Sequence, residues 1–286
     1  MIVRIAGITL AVAALVVAAP AAAQPPTLQK IKDTGTLVIG YRENSKPFSF
    51  VGEGGKPMGY SIDLCHRIAA GVKDELKLRE LKIRYVPVTV ESRIDAVAKG
   101  RVDIECGSTT ASLSRQEKVE FTLPTFVDGG SLLATGTSGV QVTGDLVDKK
   151  VAVIPGTTTQ RALAEALKAG GVNATILEVK DHDAGLAALE SGAADAYASD
   201  RVILLTLMLT SKSPSSLVLS DQLYSYEPYG FMVRRNDSAF RLVANRSLAR
   251  IYRSPEVAEL FEKWFRAMGK PSPALVLMFL MNGLPE

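Results

Sequence analysis

From residue 36 onward, short apolar runs alternate with longer stretches in which apolar positions recur every three or four residues, and the alternation continues along nearly the whole chain. Thr36 to Tyr41 reads as a strand. From Ser61, a stripe of Ile62, Cys65, Ile68, Ala69, Val72 and Leu76 predicts a helix packed on a sheet. Lys82 to Thr89 returns to strand, Ser92 is placed to cap a helix carrying Ile94, Val97 and Ala98, and Gly100 stands where a left-handed C-terminal cap is expected. Val102 to Cys106 is the next strand.

The pattern restarts after the small-residue stretch Gly136-Thr137-Ser138-Gly139. Lys150 to Ile154 reads as a strand and Thr158 to Lys168 as a helix ended by Gly170-Gly171. Ala174 to Val179 is a strand, Asp181 or Asp183 caps a helix through Glu190, and Asp195 to Ser199 is a strand again. Beyond the strand Tyr229 to Val233 the chain is helical from Asp237, with Pro255 at a helix start and Trp264 on an apolar face. Pro271 to Glu286 reads as an apolar tail lying on the surface. Regular strand–helix alternation predicts an α/β protein of mostly parallel sheets with helices on both faces. The late helices need a core to cover, and the first lobe offers one. Residues 24–133 and 231–286 are therefore expected to form a discontinuous first lobe and 134–230 a second, with crossings near residues 131–137 and 228–234.

Before this pattern, Arg4 precedes an apolar run from Ile5 to Val17, and Ala21-Ala22-Ala23 offers a small-residue cleavage point. Residues 1–23 read as a cleavable signal peptide, which places the chain in the bacterial periplasm. A content of 47% hydrophobic and 22% charged residues is that of a globular chain. The net charge of +3 is dispersed, which argues against a nucleic-acid partner. Cys65 and Cys106 are the two cysteines; an exported chain permits a bridge between them, and the sequence leaves open whether they pair or stay as buried thiols. Neither has metal-ligand spacing to a second thiol or histidine, and no metal or cofactor is expected.

Catalytic signatures are lacking: no Gly-x-Ser-x-Gly elbow, no P-loop, and only His66 and His182 as histidines. What recurs is hydrogen-bond donor chemistry at strand ends. Val102 to Cys106 stops at Gly107 and opens into Ser108, Thr109 and Thr110, with Arg115 just beyond; Ile154-Pro155-Gly156 likewise opens into Thr157, Thr158 and Thr159 at a helix start. Hydroxyls, free N–H groups and a guanidinium fork suit a small anion held between two sheet edges.

Several segments together resemble the family 3 solute-binding class of periplasmic amino-acid-binding proteins, most of all its glutamate/aspartate-binding type. They are Tyr41 to Ser45 with Pro47-Phe48-Ser49-Phe50, Gly59 to Asp63, Glu105 to Thr110 with Arg115-Gln116, Gly156-Thr157-Thr158, Asp181-His182-Asp183 and Ser199-Asp200. The resemblance implies a type II periplasmic-binding-protein fold, a monomeric clamp of two lobes joined by two hinge crossings, that hands an amino acid to an inner-membrane ABC permease. It implies that Arg115, Thr110 and the groups around Thr157 and Thr158 hold the α-carboxylate, while Ser108 and Asp200 take the α-ammonium. Arg42 and Arg93, with His182, would read a side-chain carboxylate, and Phe50 or Phe48 would stack on the ligand's stem, the other packing in the core. Val90 stands where members of this type often carry a hydroxyl, which leaves Glu, Asp, Gln, Asn and related dicarboxylates all open. Two other readings share the fold: a cyclohexadienyl-dehydratase-like enzyme and a ligand sensor.

Overall fold

Each of the two runs of alternating elements closes into its own five-stranded sheet in the computed structural model, which describes residues 26–285. The signal peptide expected at residues 1–23 lies outside them. In the first sheet the order is Lys82–Pro87, Thr36–Tyr41, Ile104–Glu105, Met232–Arg234 and Val119–Phe121, the first three parallel and the last two joined antiparallel. The second repeats this plan: Thr175–Glu178, Lys150–Val153 and Ala196–Asp200 are parallel, and Gly130–Thr135 and Leu217–Leu219 are added antiparallel. Four strands of each sheet thus run one way, as the alternation implied, and one runs the other: Met232–Arg234 in the first sheet and Gly130–Thr135 in the second. In both sheets the reversed strand is the one that arrives directly from a crossing, and a chain entering from the neighbouring lobe has no crossover helix to keep it parallel.

The crossings are paired with each other. Phe126–Asp128 runs antiparallel to Glu227–Tyr229 as a two-stranded ribbon between the sheets. Gly130–Thr135 already belongs to the second sheet, so the first crossing falls earlier than residues 131–137. The cause is local: Gly130 to Ala134 is buried along its whole length, which suits an inner strand rather than a connector.

Helix Tyr60–Glu75 buries Ile62, Leu64, Cys65, Ile68, Ala69 and Val72, close to the stripe read from the sequence, and packs on helix Ser238–Tyr252. The late helices gather on the same side: Glu256–Phe265 also packs on Tyr60–Glu75, and both Glu256–Phe265 and Pro273–Asn282 pack on Ser238–Tyr252. The tail is more ordered than a surface strap: Pro273–Asn282 is a helix whose Leu275, Met278 and Phe279 are buried. Ser272 caps it by accepting from the Leu275 N–H, and Pro273 fits its first turn because the missing N–H would have had no helical partner.

Below the ribbon lies a group of aromatic rings. Phe48, Tyr60 and Phe265 meet Phe126 from the first crossing, at centroid distances of 5.0, 6.0 and 4.9 Å, and Phe48 meets Tyr229 from the second at 5.1 Å. The Tyr60 hydroxyl donates to the Thr125 carbonyl at 2.9 Å. Edge-on and offset packing of this kind fixes ring positions as well as removing apolar area from water.

Cys65 and Cys106 form a disulfide with Cα atoms 6.4 Å apart, joining helix Tyr60–Glu75 to the end of the strand Ile104–Glu105. The bridge closes a loop across a sequence separation of 41 residues, for which chain entropy gives about 4 kcal/mol. Replacing both cysteines by serine should lower the unfolding free energy by roughly that amount in urea titration; a loss below about 1 kcal/mol would show that the bridge is incidental to stability.

Candidate functional site

The C-terminal ends of the parallel strands of both sheets meet across one crevice, the place where α/β folds bind ligands. On the first side, Cys106 is pinned by its disulfide, and the Ser61 hydroxyl donates to the Gly107 carbonyl at 2.8 Å, so the turn from Gly107 to Thr110 is fastened at its root. A side chain at Gly107 has no room: a Cβ there would stand 2.2 Å from Glu105 Oε1 and 3.1 Å from Arg42 Cγ. On the second side, Gly156 turns with φ +75°, the Thr157 hydroxyl caps helix Thr158–Gly170 by accepting from the Gln160 N–H at 3.1 Å, and the first turn of that helix faces the crevice. The two sides touch, with 3.2 Å between the Thr110 and Thr158 hydroxyl oxygens.

A small cavity at this junction is lined from the first lobe by Arg42, Val90, Arg93, Ser108 and Thr110, and from the second by Thr157, Thr158, Thr159, His182 and Asp200, with Ile154, Ser199 and Ile203 completing its wall. Eight of the residues expected from the sequence are thus brought together. Two are not. Phe50 is half-buried and packs edge-on against Trp264 at 5.9 Å with Lys46 over its ring, because alternation along Ser49–Val51 turns Ser49 inward and Phe50 away from the crevice. Arg115 stands behind the turn, where its Nη1 donates to the Thr110 carbonyl at 2.8 Å.

Arg42 and Arg93 are both almost fully buried. Burial, then the facing Arg93 charge, draws the Arg42 guanidinium down to about 10, and burial likewise lowers Arg93; both stay cationic at neutral pH. Glu105, completely buried, stands beside them. Its Oε2 accepts from the Thr109 hydroxyl at 2.9 Å, and Thr109 accepts from Arg93 Nη1 at 2.7 Å. Burial raises the Glu105 carboxyl while Arg93, Thr109, Arg42 and Arg115 oppose the shift. Arg93 Nε has no hydrogen-bond partner although it is buried, so this cluster holds a donor in reserve.

His182, expected to act with Arg42 and Arg93, does not share their charge. Burial, then Arg42 and Arg93, pushes its imidazole down to about 3, and its Nδ1 is 2.7 Å from the Tyr197 hydroxyl. It meets the crevice as a neutral ring. The helix it opens is capped by Asp181, which accepts from the Ala184 N–H at 2.8 Å, so Asp183 is released from that task.

Opposite the arginines lies an acidic group that motif reading did not identify beyond Asp200. The Tyr229 hydroxyl donates to Asp200 Oδ2. Glu227 on the second crossing accepts from the hydroxyls of Thr110 at 2.5 Å, Thr158 at 2.6 Å and Ser225 at 2.6 Å. Asp128 on the first crossing accepts from the N–H groups of Gly129 at 2.8 Å and Val202 at 3.0 Å. Burial, together with Glu227 and Asp128, raises the Asp200 carboxyl well above its ordinary value, and burial carries Asp128 up to about 7. No cluster of side chains suited to a metal ion occurs among the described residues.

A carboxyl whose pKa is raised on folding contributes stability below its unfolded value, near 4, and loses it as pH rises through its folded value. For Asp128 that window runs from about 4 to about 7. Asp128→Asn should therefore be less stable than the wild type at pH 4 and gain on it as pH rises to 8, in paired thermal melts. A difference in Tm that stays constant over this range would contradict the assignment.

A family model for bacterial extracellular solute-binding proteins, family 3, matches residues 37–267. The chain is 42% identical over 277 residues to an L-glutamate/L-aspartate-binding protein of Pseudomonas aeruginosa, covering 95% of this chain and 91% of that one. It is 35% identical over 249 residues to a glutamate/aspartate import solute-binding protein of Escherichia coli K12, covering 87% and 82%. Among solved structures, the ancestral amino-acid-binding protein AncCDT-1, a precursor of cyclohexadienyl dehydratase, superposes with a TM-score of 0.73 at 30% identity, over 84% of this chain and 99% of that one.

Proposed function

The chain belongs to family 3 of the bacterial extracellular solute-binding proteins, and on that footing we propose that it is a monomeric periplasmic receptor that closes over glutamate or aspartate and presents it to an inner-membrane ABC permease. The observation that carries the choice of an acidic ligand is the pair of buried arginines, Arg42 and Arg93, lining a crevice whose other side holds Asp200. Two like charges buried side by side, with Glu105 the carboxylate acting on both, favour a ligand carboxylate as a further partner. Arg93 Nε gives that carboxylate a donor with no competing partner. Asp200 offers the acidic end that an α-ammonium requires, and the helix start at Thr158 offers N–H groups and a positive dipole end to the α-carboxylate.

Arg115 enters this reading through the turn it supports. Its bond to the Thr110 carbonyl holds the segment on which Ser108 and Thr110 reach the crevice, so it serves every amino acid rather than the acidic ones alone. His182, neutral and bonded to Tyr197, is a hydrogen-bond partner and not a charge. Val90 presents methyl groups to the cavity and its Cγ1 stands 3.7 Å from where a Cβ on Gly156 would be, so this edge reads size and carries no donor. The enzyme reading is not favoured, since both relatives described above are binding proteins.

Calorimetric titration with purified protein should show L-glutamate and L-aspartate binding, with glutamine and asparagine weaker. Arg42→Ala and Arg93→Ala should each cost the acidic ligands about 3–5 kcal/mol, the scale for leaving a buried charge unpaired, and cost glutamine much less. Arg115→Ala should weaken glutamate and glutamine alike. Equal losses for glutamate and glutamine in the Arg42 and Arg93 variants would overturn the partition, and silence with all four amino acids would overturn the function.

A further inference from the structure

The position of Glu227 goes beyond what an amino-acid receptor needs by charge alone. It is almost completely buried, and it sits on the strand Glu227–Tyr229 of the ribbon between the lobes. One of its oxygens, Oε2, receives the hydroxyl of Thr110 from the first lobe and the hydroxyl of Thr158 from the second; the other, Oε1, receives Ser225 from its own connection. One carboxylate thus joins both lobes and the hinge at a single atom pair.

Each threonine hydroxyl carries one proton, and a carboxylate only accepts. Both protons are therefore committed to Glu227, and what Thr110 and Thr158 turn toward the cavity is lone-pair density. Without Glu227 either hydroxyl is free to rotate and donate into the crevice, which would make the same two residues suit an anion. We propose that Glu227 is the positioning residue of the site: it directs both threonine hydroxyls to act as acceptors toward the ligand and, through the same bonds, ties the two lobes together. The first half deepens the amino-acid reading and rests on it, placing these hydroxyls with Asp200 at the ammonium end instead of the carboxylate end; the second half stands without any ligand.

Glutamine in place of Glu227 tests both halves, because an amide keeps one acceptor but presents N–H groups that need acceptors themselves, forcing at least one hydroxyl to turn. In ligand-free small-angle scattering, Glu227→Gln and Thr158→Val should each have a larger radius of gyration than the wild type, and the double variant should be no larger than either. A wild type as open as both variants would overturn the tie. In titrations with L-glutamate, Glu227→Gln should bind at least tenfold more weakly while its melting temperature stays within a few degrees of the wild type. Added to Thr110→Val/Thr158→Val, the Glu227 substitution should cost less than threefold more, since the hydroxyls through which it acts are gone. Unchanged affinity would overturn the positioning role, as would independent, multiplying losses; tighter binding would do the same by showing that Glu227 competes with the ligand for the threonines. Should Glu227→Gln fail to fold, Thr158→Val removes the same interlobe bond and carries the scattering test. Failure of the wild type to bind any amino acid would overturn the functional reading and the hydroxyl-directing half built on it, while the scattering result would still decide the tie.

Discussion

The arrangement of this protein follows from burying Arg42 and Arg93 together at the floor of a crevice. A buried guanidinium loses most of its hydration and keeps its charge, so its surroundings must supply oxygen. Only part of that supply is local. Glu105 gives one carboxylate, and Thr109 relays it by accepting a hydrogen bond from Arg93 and donating one to Glu105. Donor capacity remains in the unpartnered, buried Arg93 Nε, on a residue that lines the cavity. A single buried pair with matched charges would have been structural; two arginines around one glutamate make a receptor for an anion.

Such a cluster holds its geometry only if the backbone beneath it cannot relax. The disulfide from Cys65 to Cys106 and the bond from Ser61 to the Gly107 carbonyl fasten the turn that carries Ser108 to Thr110, and Gly107 leaves room for Glu105 and Arg42 to approach it. The ribbon of the two crossings is set on packed aromatic rings from the first lobe, so Phe126 and Tyr229 share one foundation. Tyr229 then reaches from that foundation to Asp200 in the second lobe. Rigidity below and a narrow two-stranded connection above are the parts of a hinge-bending clamp.

Periodicity and cap chemistry carried much of the fold in the sequence. The stripe on helix Tyr60–Glu75, the threonine start at Thr158 and the glycine stop at Gly171 are local signals, and local signals are what a sequence displays. Direction of strand entry is not local, which is why the antiparallel strand Gly130–Thr135 and the earlier crossing were not legible. For the site, strand-end hydroxyls and the family motifs pointed to residues that do meet. Phe50 misled because an aromatic in a motif says nothing about which side of a short strand it occupies. Asp128 and Glu227 carried no motif of their own, and Glu105, although it opens the segment Glu105 to Thr110, was given no role there. Glutamate in a run such as Tyr226-Glu227-Pro228-Tyr229 reads as an exposed residue until the pairing of two crossings, about 100 positions apart in the chain, buries it.

That burial also explains why acidic and basic groups sit on opposite sides of one crevice instead of neutralising each other. Arg42, Arg93 and Glu105 are fixed by the first sheet and its turn. Asp200 and Asp128 are held by the second sheet and by the start of the helix Arg201–Thr210, and Glu227 by the ribbon. Separate backbone supports keep the two charge groups apart, and burial, with the neighbouring carboxylates, raises Asp200 and Asp128 although Arg93 and Arg201 oppose the shift. The proposed ligand, a zwitterion with a second carboxylate, is complementary to this division: its ammonium would relieve the acidic side and its side-chain carboxylate the basic one. Neither gain is available while the lobes stand apart in water, so the difference in free energy between open and closed forms is concentrated where the ligand lies.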